Sequence, residues 1–133
     1  MVLRSDDRGA SWTYAATGYK GSFWTGVALP GGVLLAGGLR GSLYRSVDDG
    51  RSWARVETGS KSSITAMAVR EGRVVAVGLD GLVLRSTDAG ATFSSEVRTD
   101  RAALTGVTMT SGGRTVFLSR QGVVHDPDPP GSN

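Results

Sequence analysis

Short apolar runs alternate with glycine-bearing turns along most of the chain. Thr25 to Leu29, the turn Pro30-Gly31-Gly32, Val33 to Gly38, the turn Arg40-Gly41 and Ser42 to Arg45 make one such series. The order returns in Thr65 to Val69, Arg70-Glu71-Gly72, Arg73 to Leu79, Asp80-Gly81 and Leu82 to Arg85. A third copy runs through Thr105 to Thr110, Ser111-Gly112-Gly113, Arg114 to Arg120, Gln121-Gly122 and Val123 to His125. Runs of about five to seven residues rich in Val, Leu and Thr, punctuated by glycine, predict antiparallel strands joined by hairpins. The most apolar stretches, Val33-Leu34-Leu35-Ala36 and Val74-Val75-Ala76-Val77, suit buried strands and fall far short of the ~18 residues of a membrane-spanning helix.

Between these series lies a sharper repeat. Ser5-Asp6-Asp7-Arg8-Gly9-Ala10-Ser11-Trp12 returns as Ser46-Val47-Asp48-Asp49-Gly50-Arg51-Ser52-Trp53 and as Ser86-Thr87-Asp88-Ala89-Gly90-Ala91-Thr92-Phe93, each copy preceded by Leu-Arg or Tyr-Arg. A turn aspartate accepts backbone N–H groups, the glycine two positions on takes positive φ, and the serine hydroxyl bonds locally. The aromatic then covers the hairpin and packs into the sheet. One more strand after each motif gives four strands per period of about 40 residues, the signature of a β-propeller blade. The expected fold is therefore all-β: a partial β-propeller of four-stranded antiparallel blades, about three blade-equivalents in all.

The motif Ser-x-Asp-x-Gly-x-x-Trp resembles the Asp-box, or BNR repeat. It is carried by Ser5, Asp7, Gly9 and Trp12, by Ser46, Asp48, Gly50 and Trp53, and by Ser86, Asp88, Gly90 and Phe93. Leader and box together, in residues 41–53 and 81–93, resemble the photosystem II assembly and stability factor family. That resemblance covers residues 1 to about 126. It implies a seven-bladed propeller and a non-catalytic helper that binds a nascent reaction-centre subunit, a photosystem or other membrane-complex protein.

The expected organisation is a partial blade over 1–17, full blades over 23–58 and 64–98, a partial blade over 104–126, and a disordered Pro-rich tail over 127–133. Three blade-equivalents are too few to close a propeller ring. The chain therefore reads as a carboxy-terminal piece, with Met1 inside a strand and further blades upstream, and the family resemblance implies an export signal there as well. Open strand edges predict association with those blades or with itself.

Composition narrows the chemistry. The absence of cysteine removes disulfides, thiol catalysis and Cys-ligated metals, and His125, the lone histidine, reads as a strand-end residue. Neither cofactor nor metal is expected. The net charge of +3 comes from 15 basic residues spread along the whole chain without a basic run, which argues against nucleic acid. Gly37-Gly38 reads as a bulge or close packing rather than a phosphate loop.

Asp-boxes also occur in sialidases and other glycoside hydrolases, so a fragment of such an enzyme, or of a carbohydrate-binding propeller, is the alternative. The pairs Asp6-Asp7 and Asp48-Asp49 fall inside the boxes, however, and the only glutamates are Glu57, Glu71 and Glu96. Arg4, Arg45 and Arg85 recur with the repeat and read as structural.

In a four-stranded blade, the turn between strands two and three and the crossover to the next blade share the end opposite the box. That end is expected to bind a protein partner through Tyr19, Lys20, Trp24, Arg40, Lys61, Arg101 and Arg120. The competing expectation for Phe23 and Trp24 is that they begin the first strand and enter the core.

Overall fold

The structure, a computed structural model, describes residues 2–125. The expected tail over 127–133 and the expectation for Met1 lie outside those residues. The described residues contain thirteen strands and no α-helix. They are β1 (Val2–Arg4), β2 (Thr13–Ala15), β3 (Phe23–Leu29), β4 (Val33–Gly38), β5 (Leu43–Ser46), β6 (Ala54–Arg55), β7 (Ile64–Arg70), β8 (Arg73–Gly78), β9 (Leu82–Ser86), β10 (Ser94–Val97), β11 (Leu104–Met109), β12 (Thr115–Ser119) and β13 (Gly122–His125).

Each strand pairs antiparallel with its neighbour in sequence within one of four sheets. Two sheets have four strands, β3-β4-β5-β6 and β7-β8-β9-β10, flanked by the pair β1-β2 and the triplet β11-β12-β13. These are blades of a partial β-propeller. Successive blades meet through their first strands, β3 against β7 and β7 against β11.

The core forms between blades, which explains the unbroken apolar runs. On β8, Val74 and Ala76 join Leu29, Leu35, Leu43, Ile64 and Leu84 in one cluster. Val75 and Val77 face the other way and pack with Val83, Leu104 and Phe117 in a second. A strand buried on both faces cannot alternate apolar with polar residues. Each fully buried Val, Leu or Phe contributes about 1.5–3 kcal/mol, so the middle blade is held from both sides.

Glycine allows the close approaches this stacking needs. A Cβ on Gly37 would meet Ile64 of the next blade at 2.9 Å, and one on Gly38 would lie 1.9 Å from the Ser22 carbonyl oxygen. Each first strand also shifts register near its start, between Phe23 and Thr25, Ile64 and Ala66, and Leu104 and Gly106. The intervening residues are Trp24, Thr65 and Thr105. The Thr65 hydroxyl donates to the Leu104 carbonyl at 2.6 Å and so links two blades.

Replacing Gly38 with Ala sets a methyl group against backbone that cannot yield, whereas Gly59 faces open space at φ +72 and bears only the left-handed penalty. Gly38→Ala is expected to lower stability by about 2–3 kcal/mol and Gly59→Ala by about 1–2 kcal/mol. Thermal unfolding of the two variants checks the ranking.

Candidate partner-binding face

The box hairpins close one end of the blades. Ser46 Oγ donates to Asp48 Oδ1 at 2.8 Å and accepts the Gly50 amide at 2.8 Å. Asp48 Oδ1 accepts the Ser52 amide at 2.8 Å, and its Oδ2 accepts the Ser52 hydroxyl. Ser5, Asp7, Gly9 and Ser11 make the same bonds, as do Ser86, Asp88, Gly90 and Thr92. The hydroxyls of Ser11, Ser52 and Thr92 were not singled out in the sequence, although a hydroxyl residue recurs four places after each box aspartate.

These bonds hold Arg8, Asp49 and Ala89 at φ 59, 61 and 59, followed by Gly9, Gly50 and Gly90 at φ 89, 85 and 82. The indole N–H of Trp12 donates to the Gly9 carbonyl and that of Trp53 to the Gly50 carbonyl. Phe93 has no such donor and instead packs against the apolar cluster between the two full blades. Trp12, which follows the box on the two-stranded sheet β1-β2, is 59% exposed.

The leader arginines turn the left-handed residue into a link between blades. Arg4 Nε donates to the Asp49 carbonyl at 2.6 Å, and Arg45 Nε donates to the Ala89 carbonyl at 3.2 Å. Arg85 bonds Glu96 on its own blade, with both Nε and Nη2 3.0 Å from Oε1. The turns between first and second strands join this end, with the Asp49 amide on the Gly32 carbonyl and the Ala89 amide on the Gly72 carbonyl.

The opposite end is built from the remaining turns and the crossovers. The Gly81 amide donates to the Ala102 carbonyl, the Arg98 amide to the Gly81 carbonyl, and the Arg40 amide to Ser63 Oγ. Arg40, Asp80 and Arg101 hold left-handed backbone there, at φ 57, 57 and 50. Lys20, Arg40, Lys61, Arg101 and Arg120 are exposed, and none has an ion-pair partner among the described residues. Asp100 pairs with Arg98 at 3.0 Å and Glu57, beside Thr58, with Arg55 at 3.5 Å, while Asp80 has no ion-pair partner among the described residues.

The aromatics divide. Tyr19 stacks on buried Tyr44 with centroids 5.4 Å apart and lies 5.0 Å from Phe23, so Tyr19 and Phe23 fill the blade's end. Trp24, at the bulge, is 50% exposed beside the cations' end of β3.

YCF48 bound to D1 peptide superposes with a TM-score of 0.62 at 22% identity, over 88% of this chain and 39% of that one. YCF48 from Cyanidioschyzon merolae gives 0.67 at 16% identity, over 76% and 32%. The fold is that of a β-propeller. An ancestral GH74 enzyme has the same fold, with a TM-score of 0.74 at 16% identity over 91% of this chain and 19% of the enzyme. The chain thus spans well under half of each propeller it matches. No protein-family model and no curated protein sequence matches the chain.

Hydrogen bonds from Ser52, then Ser46, hold the Asp48 pKa down at about 2, and those from Ser11 and Ser5 do the same for Asp7. Asp88 is lowered likewise by Thr92 and Ser86. A depressed folded-state pKa gives stability that is present above the unfolded value of 3.8 and lost as pH falls through the folded one. The melting temperature is therefore expected to show no box-dependent loss between pH 7 and about 4, then to fall toward pH 2. Ser52→Ala removes the foremost donor to Asp48, so its carboxyl is expected to titrate at higher pH in a carbon-13 NMR titration; an unchanged midpoint contradicts this assignment.

Proposed function

We propose that this chain is part of a non-catalytic propeller that binds a protein client through the end opposite the boxes, in the manner of an assembly helper. The observation that carries this reading is the set of exposed cations Lys20, Arg40, Lys61, Arg101 and Arg120 at that end, without ion-pair partners among the described residues. Exposed Trp24 adds apolar area beside them, and arginine with tryptophan is the composition of interface hot spots. The likeness to YCF48 bound to D1 peptide supports a peptide-binding role.

The carboxylates argue against the glycoside hydrolase alternative. Asp7, Asp48 and Asp88 are engaged within the boxes, while Asp6, Asp49, Glu57, Glu96 and Asp100 each face an arginine. Among the described residues this leaves Glu71 and Asp80, at opposite ends of the six-residue strand β8. At roughly 3.3 Å per residue they stand about 20 Å apart, whereas paired glycosidase carboxylates lie about 5–9.5 Å apart.

The test is anisotropy of a labelled D1 peptide titrated with the chain. Reversing Lys20, Arg40, Arg101 and Arg120 to Glu is expected to weaken binding at least about tenfold while the melting temperature holds, since exposed charges add little stability. Reversing Arg8 and Arg51 at the box end is expected to leave binding nearly unchanged. Equal losses from the two sets overturn the assignment of the binding end.

A further inference from the structure

The three copies of the box differ in how the leader arginine is neutralised. In the first, Arg4 Nη2 lies 2.6 Å from Asp6, the residue just after the box serine. In the third, Arg85 Nη2 lies 3.0 Å from Glu96, two residues beyond Ser94, the strand-four partner of Arg85. The middle copy has neither carboxylate. Val47 follows Ser46 where Asp6 follows Ser5, and Val56 stands two residues beyond Ala54, the partner of Arg45.

A cleft of about 310 Å³ occupies this place, lined by Arg45, Val47, Trp53, Arg55, Val56 and, from the following blade, Ala91, with Ser52 and Ala54 completing it. Arg45 Nε is taken by the Ala89 carbonyl, but no carboxylate among the described residues meets its guanidinium. Arg55, paired with Tyr44 rather than with Arg45, turns to the other face of the sheet, where its 3.5 Å pair with Glu57 is open to solvent on both sides. Val47 is 61% exposed at the rim. Along one side runs β6, a two-residue edge strand with backbone groups free to pair with an incoming strand.

We propose that this cleft is a second peptide site, separate from the cationic end. It takes an extended segment whose Glu or Asp side chain meets Arg45 while apolar neighbours lie on Val47, Val56 and Trp53. The guest carboxylate supplies to Arg45 what Asp6 supplies to Arg4 and Glu96 to Arg85. The sister copies thus specify the ligand chemistry, and the valines provide its apolar surroundings. Extended backbone is the form that β6 can pair.

Nitrogen-15 NMR of the full chain with acetyl-Val-Glu-Val-amide, its Gln counterpart and sodium acetate tests the site. The Glu peptide is expected to shift the Trp53 indole and the Arg45 Nε–H signals, with the Gln peptide about fivefold weaker. Val47→Asp, which rebuilds the Arg4–Asp6 arrangement within the chain, is expected to bind the Glu peptide about fivefold more weakly than Val47→Asn, which removes the same apolar contact without adding a carboxylate. Both variants change an exposed residue, and their melting temperatures verify folding. Equal binding of the Gln peptide, an unaffected Val47→Asp variant, or the same shifts from acetate alone overturn the proposal. Shifts confined to Lys20, Arg40 and Arg101 also overturn it while leaving the cationic-end reading intact.

Discussion

The interaction on which the rest of this chain depends is the aspartate carboxylate at the centre of each box hairpin. With the serine and the second hydroxyl, Asp48 gathers the hydrogen bonds that hold Asp49 and Gly50 in left-handed backbone. That turn fixes the Asp49 carbonyl where Arg4 of the preceding blade reaches it, and Ala89 stands in the same relation to Arg45. One local motif therefore closes a hairpin and ties it to its neighbour. Apolar residues of both faces of β8 then fill the space between the tied blades. Stability in such an array comes from nearest-neighbour contacts, as in other repeat proteins.

The same economy of bonding separates the charges. At the box end, the acidic groups of the boxes are satisfied by the hydroxyls, amides and arginines of the repeat. At the other end the turns are closed by backbone bonds, as at Gly81 with Ala102 and Arg98, and by the side chains of Thr58, Ser63 and Asp100, so the side chains of Lys20, Arg40, Lys61, Arg101 and Arg120 take no part in closing them. Arg40 and Arg101 project from left-handed residues without acidic partners among the described residues. Where a repeat departs from its siblings, as at Val47, the difference marks a local property rather than a requirement of the fold.

Much of the fold was legible because its signals are local. Glycine turns bracket the strands closely: they delimit β4 at Val33 to Gly38, while the first strand begins at Phe23 rather than Thr25. That early start reflects a bulge, which depends on pairing across the sheet. The roles of Arg4 and Arg45 were legible only as structural recurrence, because their acceptors lie in the next repeat, 45 and 44 residues away. Tyr19 sits in a crossover whose composition does not reveal side-chain direction; stacking on Tyr44 draws it inward, whereas Lys20 beside it remains exposed.

Native-state hydrogen exchange of the box amides tests most directly the claim that the box carboxylate organises the blades. The amides of Gly50, Ser52, Gly90 and Thr92 lie in hairpin turns yet bond to side chains of their own boxes. The account predicts that they exchange as slowly as those of β4 and β8, opening only when the blade itself opens. Exchange at the rate of an unprotected surface loop, with β4 and β8 still protected, would show that the blades stand without the box and would contradict it.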